Sequence, residues 1–86
     1  MKSKHVILGV HVQNRTKVVQ KVQQVLSEYG CNIKTRLGLH EVDERSCSTA
    51  GVILLEMFGK DAVCNEMAAR LKALNGVQVK KMVFTH

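Results

Sequence analysis

The spacing of hydrophobic residues switches twice along this chain between the period of a strand and the period of a helix, and this limits the possible folds. Val6, Leu8, Val10 and Val12 are two residues apart, as in a strand with one buried face. The apolar residues that follow recur at helical spacing up to Tyr29. Two more strand patterns, a second helical pattern and a last strand come next. The predicted order is therefore β-α-β-β-α-β.

This order is that of the split βαβ unit, so we predict an α+β fold of the ferredoxin-like class. In that fold, a four-stranded antiparallel sheet carries two helices on one face, and the first and third strands lie in the middle. The 86 residues suffice for one hydrophobic core, and we expect residues 1–86 to form a single domain. The predicted elements are strands at 5–12, 31–40, 50–57 and 77–84 and helices at about 14–29 and 61–74.

Composition disfavours several classes of protein. The net charge is +6, but the basic residues are scattered along the chain, as on an ordinary solvated surface. Three cysteines without a C-x-x-C pair predict reduced thiols, and hence a cytoplasmic protein. No apolar stretch is long enough to span a membrane.

Catalysis and direct nucleic-acid binding have little support in the residues. Asp43, Glu44 and Arg45 cluster in a predicted loop, but no base is paired with an orienting partner there, so we expect no enzymatic activity. RNA-recognition modules of this topology stack bases on aromatic residues of the central strands. The predicted central strands here contain no Phe, Tyr or Trp, so we do not expect this domain to bind nucleic acid.

The uncovered face of the sheet is predicted to be apolar and to pack against a second copy of the chain. A small monomer rarely exposes a contiguous apolar patch of that size, so an isologous dimer is the simplest arrangement. The residues assigned to this face are Ile7, Gly9, Ile53, Leu55 and Phe84.

A metal site is a further hypothesis, because imidazole and thiolate groups suit nickel, copper or zinc. His40 and Cys47 flank the predicted hairpin and form the candidate pair. The spacing of the histidines and cysteines is not that of a dedicated site, and surface histidines remain the alternative. The sequence identifies no cofactor.

The chain resembles a family of small ACT-like proteins, the iron-only hydrogenase system regulators. The features that carry this resemblance extend over nearly the whole chain in the same order and spacing. They are the helix start VQNRTK, the helix end VQQVLSEYG, the strand IKTRLGL, an aliphatic third strand, and LKALNGVQVKKMVF as helix end, turn and last strand.

The resemblance implies a cytoplasmic dimer or tetramer that regulates an iron-only hydrogenase system and catalyses no reaction. On this basis we expect a small anionic or amino-acid-like ligand at a subunit interface. Asn14 and Arg15 at the start of the first helix, with Arg36 and Gly38 on the second strand, are the candidate contacts, since free amides and a guanidinium hold anions. Hydrogenase-system or transcription proteins are the expected partners.

Two alternatives remain open at this point. One is a structural interaction protein without a ligand. The other is a metal-handling protein, because the predicted fold is similar to the nickel-sensing domain of the nickel-responsive repressor.

Overall fold

The computed structural model describes the backbone of residues 4–13, 16–42 and 47–85, and its elements follow the predicted order. The strands form one antiparallel sheet in the order β2-β3-β1-β4, so the predicted central position of the first and third strands is confirmed. The elements are β1 (Lys4–Val12), α1 (Thr16–Glu28), a 3-10 turn (Gly30–Asn32), β2 (Ile33–Val42), β3 (Cys47–Met57), α2 (Asp61–Lys72) and β4 (Val77–Thr85).

The hydrophobic core lies between the helices and one face of the sheet. Leu8 and Val10 of the central strand β1 have no exposed surface, and Met67 and Leu71 of α2 are equally buried. Alternation along β1 is strict: each even-numbered residue from 6 to 12 is buried, and each odd-numbered residue between them is partly exposed. The two-residue period seen in the sequence therefore determines which face of the sheet is covered.

Helix α1 depends on this core more than on its own sequence. Its buried or half-buried positions include Val18, Val19, Val22 and Val25, the stripe predicted from the sequence. Valine loses side-chain freedom in a helix and has a low helix propensity. Packing against the sheet must therefore supply most of the stability of α1.

Helix α2 is held by charges at its ends and by contacts with neighbouring elements. Asp61 lies in the first turn, near the positive end of the helix dipole, and Arg70 and Lys72 lie in the last turn, near its negative end. Both placements are favourable, because each charge is opposite in sign to the nearby end. The Lys4 ammonium pairs with Asp61, which links β1 to α2 and lowers the pKa of that carboxyl. In the middle of the helix, Glu66 accepts a hydrogen bond of 2.8 Å from the Tyr29 hydroxyl.

The α1–α2 contact includes a stacked cation. The Arg70 guanidinium lies 5.5 Å from the centre of the Tyr29 ring and pairs with Glu28. The hydrogen bond from Arg70 lowers the pKa of Glu28, and the same pairing raises the pKa of Arg70. These exposed contacts fix the relative placement of the helices and contribute little stability individually.

Two glycines form the turns that lead into and out of α2. Gly59 and Gly76 have positive φ angles of 107° and 85°, a conformation that glycine adopts without strain. Beside Gly59, the Phe58 N–H donates to the Asn32 carbonyl at 2.7 Å, and beside Gly76, the Gln13 N–H donates to the Gly76 carbonyl at 3.0 Å. Gly30, by contrast, does not adopt a left-handed conformation, because a 3-10 turn continues the chain from α1 into β2.

The β2–β3 hairpin is longer than predicted. The sequence assigned residues 41–49 to a loop, whereas β2 extends to Val42 and β3 begins at Cys47. The pairing shifts between His40 and Val42, where the ladder is irregular. Polar residues in this segment concealed the strand ends, since a shift of register interrupts the simple alternation.

The assignment of Ile53 and Leu55 to the uncovered face is wrong. Leu55 pairs with Leu8 and Ile53 pairs with Val10, so both lie on the face that the helices cover, and Leu55 is fully buried. Strand β3 is apolar on both faces, so alternation alone did not decide between them. A choice that is off by one residue exchanges every side chain of a strand between the two faces.

We expect Leu55→Ala to lower the free energy of unfolding by about 2–5 kcal/mol, because it leaves a cavity in the core. Phe58 is the larger side chain but is 68% exposed, so Phe58→Ala should cost under about 1 kcal/mol. Urea unfolding of both variants measures the difference. Equal losses would contradict the assignment of Leu55 to the covered face.

We expect the Lys4→Gln substitution to raise the pKa of Asp61, because it removes the hydrogen-bonded cation that lowers it. The lowered pKa means that the Lys4–Asp61 pair stabilises the fold above the unfolded-state pKa of the carboxyl, and that this contribution is lost as the pH falls through the folded-state pKa. NMR titration of the side-chain carboxyl carbons measures it. Glu28, whose partner is Arg70, should titrate alike in both proteins.

Candidate functional site on the open sheet face

The face of the sheet opposite the helices, called the open face below, combines apolar residues with one carboxylate among the side chains that the structure describes. The register of the strands defines its members. Those whose side chains are described are Thr35 and Leu37 on β2, Val52, Leu54 and Glu56 on β3, His5, Ile7, Gly9 and His11 on β1, and Gln78, Lys80, Met82 and Phe84 on β4.

Large apolar side chains are half exposed on this face. Leu37 and Met82 are each 52% exposed, and Phe84 is 51% exposed. Ile7 and Leu54 lie between them and are only partly buried. The structure therefore places three predicted members, Ile7, Gly9 and Phe84, on the open face, and Leu54 takes the position that was expected for Leu55.

A shallow groove of about 410 Å³ lies at the end of the open face where β1 begins. Ile7, Leu37, Leu54 and Phe84 supply most of its lining. Three polar side chains border it, namely His5, Thr35 and Glu56. An apolar concavity with a few polar groups is the usual form of a small-molecule site.

Glu56 is the carboxylate of this groove, and its two oxygens have different neighbours. The Thr35 hydroxyl donates a 3.0 Å hydrogen bond to Oε1. The His5 Nε2 atom lies 3.7 Å from Oε2, close enough for an ion pair when the imidazole is protonated. The Glu56 side chain is 26% exposed, so it can still contact a bound molecule.

Arg36 and Gly38, predicted to contact a ligand, lie on the other side of the sheet. Arg36 pairs with Leu55, and its guanidinium donates a hydrogen bond to the Gln23 side chain of α1. Arg36 is therefore level with Leu8 across the sheet. Leu8 is four residues, or about 13 Å, from Val12 at the end of β1. Asn14 and Arg15 lie outside the described residues.

The metal hypothesis receives no support from the part of the chain that is described. His40 pairs with Gly51 and Cys47 pairs with Val42 in the hairpin, but the side chains of His40 and Cys47 lie outside the described residues. Within the described residues, no group of three or more His, Cys, Asp or Glu side chains is placed to hold a metal ion.

The two cysteines whose side chains are described differ in exposure. Cys31 is exposed and Cys64 is buried in the core. Burial raises the pKa of the Cys64 thiol, although Lys81 lies near enough to oppose this shift. Cys64 is thus a small hydrophobic core residue, the role that the apolar stripe of α2 indicates, and not an activated thiol.

The sequence missed Thr35, Leu37, Leu54 and Glu56 as members of one site. One signal was available: Glu56 is the only charged residue in the apolar run from 50 to 57. A charged side chain on a central strand favours the uncovered face, and Leu54 and Val52 share its parity. That argument would have assigned the face correctly.

The sequence of this chain matches the profile of a known protein family. The sequence profile of the family described as "TM1266-like: Iron-only hydrogenase system regulator, putative" matches residues 4–81. A comparison with curated proteins finds no match.

Solved structures share the fold. The uncharacterized protein TM1266 from Thermotoga maritima has a TM-score of 0.78 and 23% identity, over 98% of this chain and 99% of that one. The ACT domain of the GTP pyrophosphokinase of Chlorobium tepidum has a TM-score of 0.60 and 17% identity, over 95% and 100%. CPII, a nitrogen regulatory PII-like protein from Thiomonas intermedia K12 bound to ADP, AMP and bicarbonate, has a TM-score of 0.59 and 11% identity, over 100% and 96%. The fold class is therefore confirmed as ACT-like. In the described residues, neither helix is long and apolar enough to cross a membrane.

The difference between the two thiols predicts their reactivity. In a Cys47→Ser background, we expect Cys31 of the native protein to react with a disulfide reagent at the rate of a free thiol. Cys64 should react at least about tenfold more slowly, because both burial and its raised pKa reduce the exposed thiolate. Stopped-flow labelling with mass analysis measures both rates. Equal rates would contradict the core role of Cys64.

Proposed function

Because the chain belongs to the TM1266-like family of iron-only hydrogenase system regulators, we propose that it regulates such a system by binding and assembly and catalyses no reaction. In this proposal residues 1–86 act as one domain in the cytoplasm, and a hydrogenase-system protein or a transcription factor reads the state of the assembly. Cys31 and Cys64, whose side chains are described, are free thiols, in keeping with a reducing compartment.

The observation that carries the proposal is the apolar open face. Leu37, Met82 and Phe84 are about half exposed on one continuous surface, and Ile7 and Leu54 connect them. Burying a large aliphatic side chain contributes roughly 1.5–3 kcal/mol. A second copy of the chain, packed through the same face about a twofold axis, would bury each of these residues in both subunits.

A small ligand at the subunit interface is the second part of the proposal. The ACT domain of the same fold comes from a GTP pyrophosphokinase, and the nitrogen regulatory PII-like protein was solved with ADP, AMP and bicarbonate. Fold likeness does not transfer those ligands. It supports the general proposal that this scaffold responds to a small molecule, which would shift the balance between assembly states.

The anion contacts expected from the sequence remain a prediction. Arg36 is exposed on the helix side of β2, where its guanidinium donates one hydrogen bond to the Gln23 side chain. Four of its five N–H donors remain available by chemistry alone. An anionic ligand there would contact Arg36 beside α1 and not the groove of the open face.

A ligand-free interaction module is the second candidate function. The open face favours it, since apolar packing alone would explain Leu37, Met82 and Phe84. The two candidates differ in thermal stability: a ligand that binds only the folded state raises Tm with concentration. An interaction module would show such a shift with its protein partner and not with small molecules.

Sedimentation velocity tests the assembly. At low micromolar concentration, we expect the wild-type protein to sediment as a dimer or larger species, and Leu37→Asp to sediment as the 9.6 kDa monomer. The carboxylate would be buried without a partner in the interface, which costs several kcal/mol.

Phe58→Asp is the matched control, because Phe58 is exposed but follows the end of β3 at Met57, outside the strand pairing that defines the open face. It should leave the oligomer intact. Circular dichroism verifies that both variants fold. A wild-type protein that sediments only as a monomer would exclude this assembly.

A further inference from the structure

We propose that the groove of the open face binds an organic amine with an apolar, ring-containing body, and that Glu56 accepts the ammonium group. This inference rests on the proposed function, because it identifies the chemical class of the small ligand. It differs from the anion contacts expected at Arg36, which lies on the opposite side of the sheet.

The size and lining of the groove determine the body of the ligand. Its volume of about 410 Å³ is within the range of small-molecule sites, roughly 300–1,000 Å³. Ile7, Leu37, Leu54 and Phe84 line it from all four strands. Phe84 offers a ring face for an edge-to-face or stacked contact, so an aromatic body fits better than a polar one.

Glu56 determines the charge of the ligand. It is the only carboxylate among the groove residues, and the lining contains neither lysine nor arginine. A carboxylate has about four acceptor positions, and the Thr35 hydroxyl occupies one of them on Oε1. In our proposal the ammonium binds Oε2, which lies 3.7 Å from the His5 Nε2 atom.

Thr35 has a positioning role in this arrangement. Its hydrogen bond to Oε1 holds the Glu56 carboxylate beside β2, at the border of the groove. A charge-assisted hydrogen bond from an ammonium to such a held carboxylate is about twice as strong as a neutral one. An organic anion would meet Glu56 with a charge of the same sign.

The net charge of +6 does not prevent this binding. Lys80 is on the open face but pairs with Gly9 and does not line the groove. Charges farther away are screened beyond about 8 Å at physiological ionic strength, whereas the ammonium and Glu56 would be in contact. In our proposal the groove stays unfilled when a second copy covers the rest of the open face, and the ammonium–carboxylate contact then becomes stronger because water is excluded.

A pair of probes with the same body and opposite charge tests the proposal. Tryptamine and indole-3-propionate each carry an indole on a two-carbon chain, one ending in an ammonium and the other in a carboxylate. We titrate each into the full-length protein and follow backbone amide shifts by NMR. Tryptamine should shift Ile7, Leu54 and Glu56 and bind at least about tenfold more tightly than indole-3-propionate.

Glu56→Gln should weaken tryptamine about tenfold and leave indole-3-propionate the same or tighter. Glu28→Gln is the matched control, since it removes the same charge on α1, across the sheet from the groove, and should change neither affinity. Equal affinities for the two probes, shifts outside the groove, or an unchanged tryptamine affinity in Glu56→Gln would each overturn the proposal. The probe comparison in wild-type protein needs no variant.

Sedimentation of the same samples separates this inference from the proposed function. An oligomer without amine preference overturns the inference and leaves the assembly intact. Amine binding by a monomer supports the groove and removes the open-face dimer.

Discussion

The alternation of side chains along β1 is the constraint on which the remaining structure depends. This strand pairs with β3 on one side and β4 on the other, so its register determines the facing of both neighbours. Leu8 and Val10 are fully buried under the helices, and the adjacent Ile7 and Gly9 face the opposite way. A shift of one residue would exchange the core and the open face across the whole sheet.

The sequence predicts a segment's placement well where the two faces of the segment differ clearly in polarity. β1 alternates clearly, α1 has one apolar stripe, and Asn75-Gly76 marks a turn, so the element order, the central strands and most of the core were predictable. In β3 both faces are apolar, and the prediction placed Ile53 and Leu55 on the wrong one. Glu56 held the missing information, because a charge on a central strand favours the exposed side.

The groove could not be found from the sequence for a different reason. His5, Thr35 and Glu56 come from three strands and are brought together only by the register of two pairings. No spacing along the chain encodes that proximity. The residues that resemble a site in the linear sequence, Arg36 and Gly38, occupy the helix side of an edge strand instead. The sequence motifs indicate the fold, whereas the residues of the candidate site come together only when the strands pair.

The valine-rich character of α1 has a consequence for how this protein unfolds. A helix whose buried face is built from Val18, Val22 and Val25 has little tendency to stay helical once the sheet surface beneath it is lost. The strands, in turn, need that helix to cover their apolar side. When either α1 or the sheet unfolds, the other loses the packing that stabilises it. Partially folded states that keep α1 and lose the sheet should therefore be scarcely populated. Unfolding is then all-or-none, and amide protons of α1 and β1 exchange with solvent through the same global event.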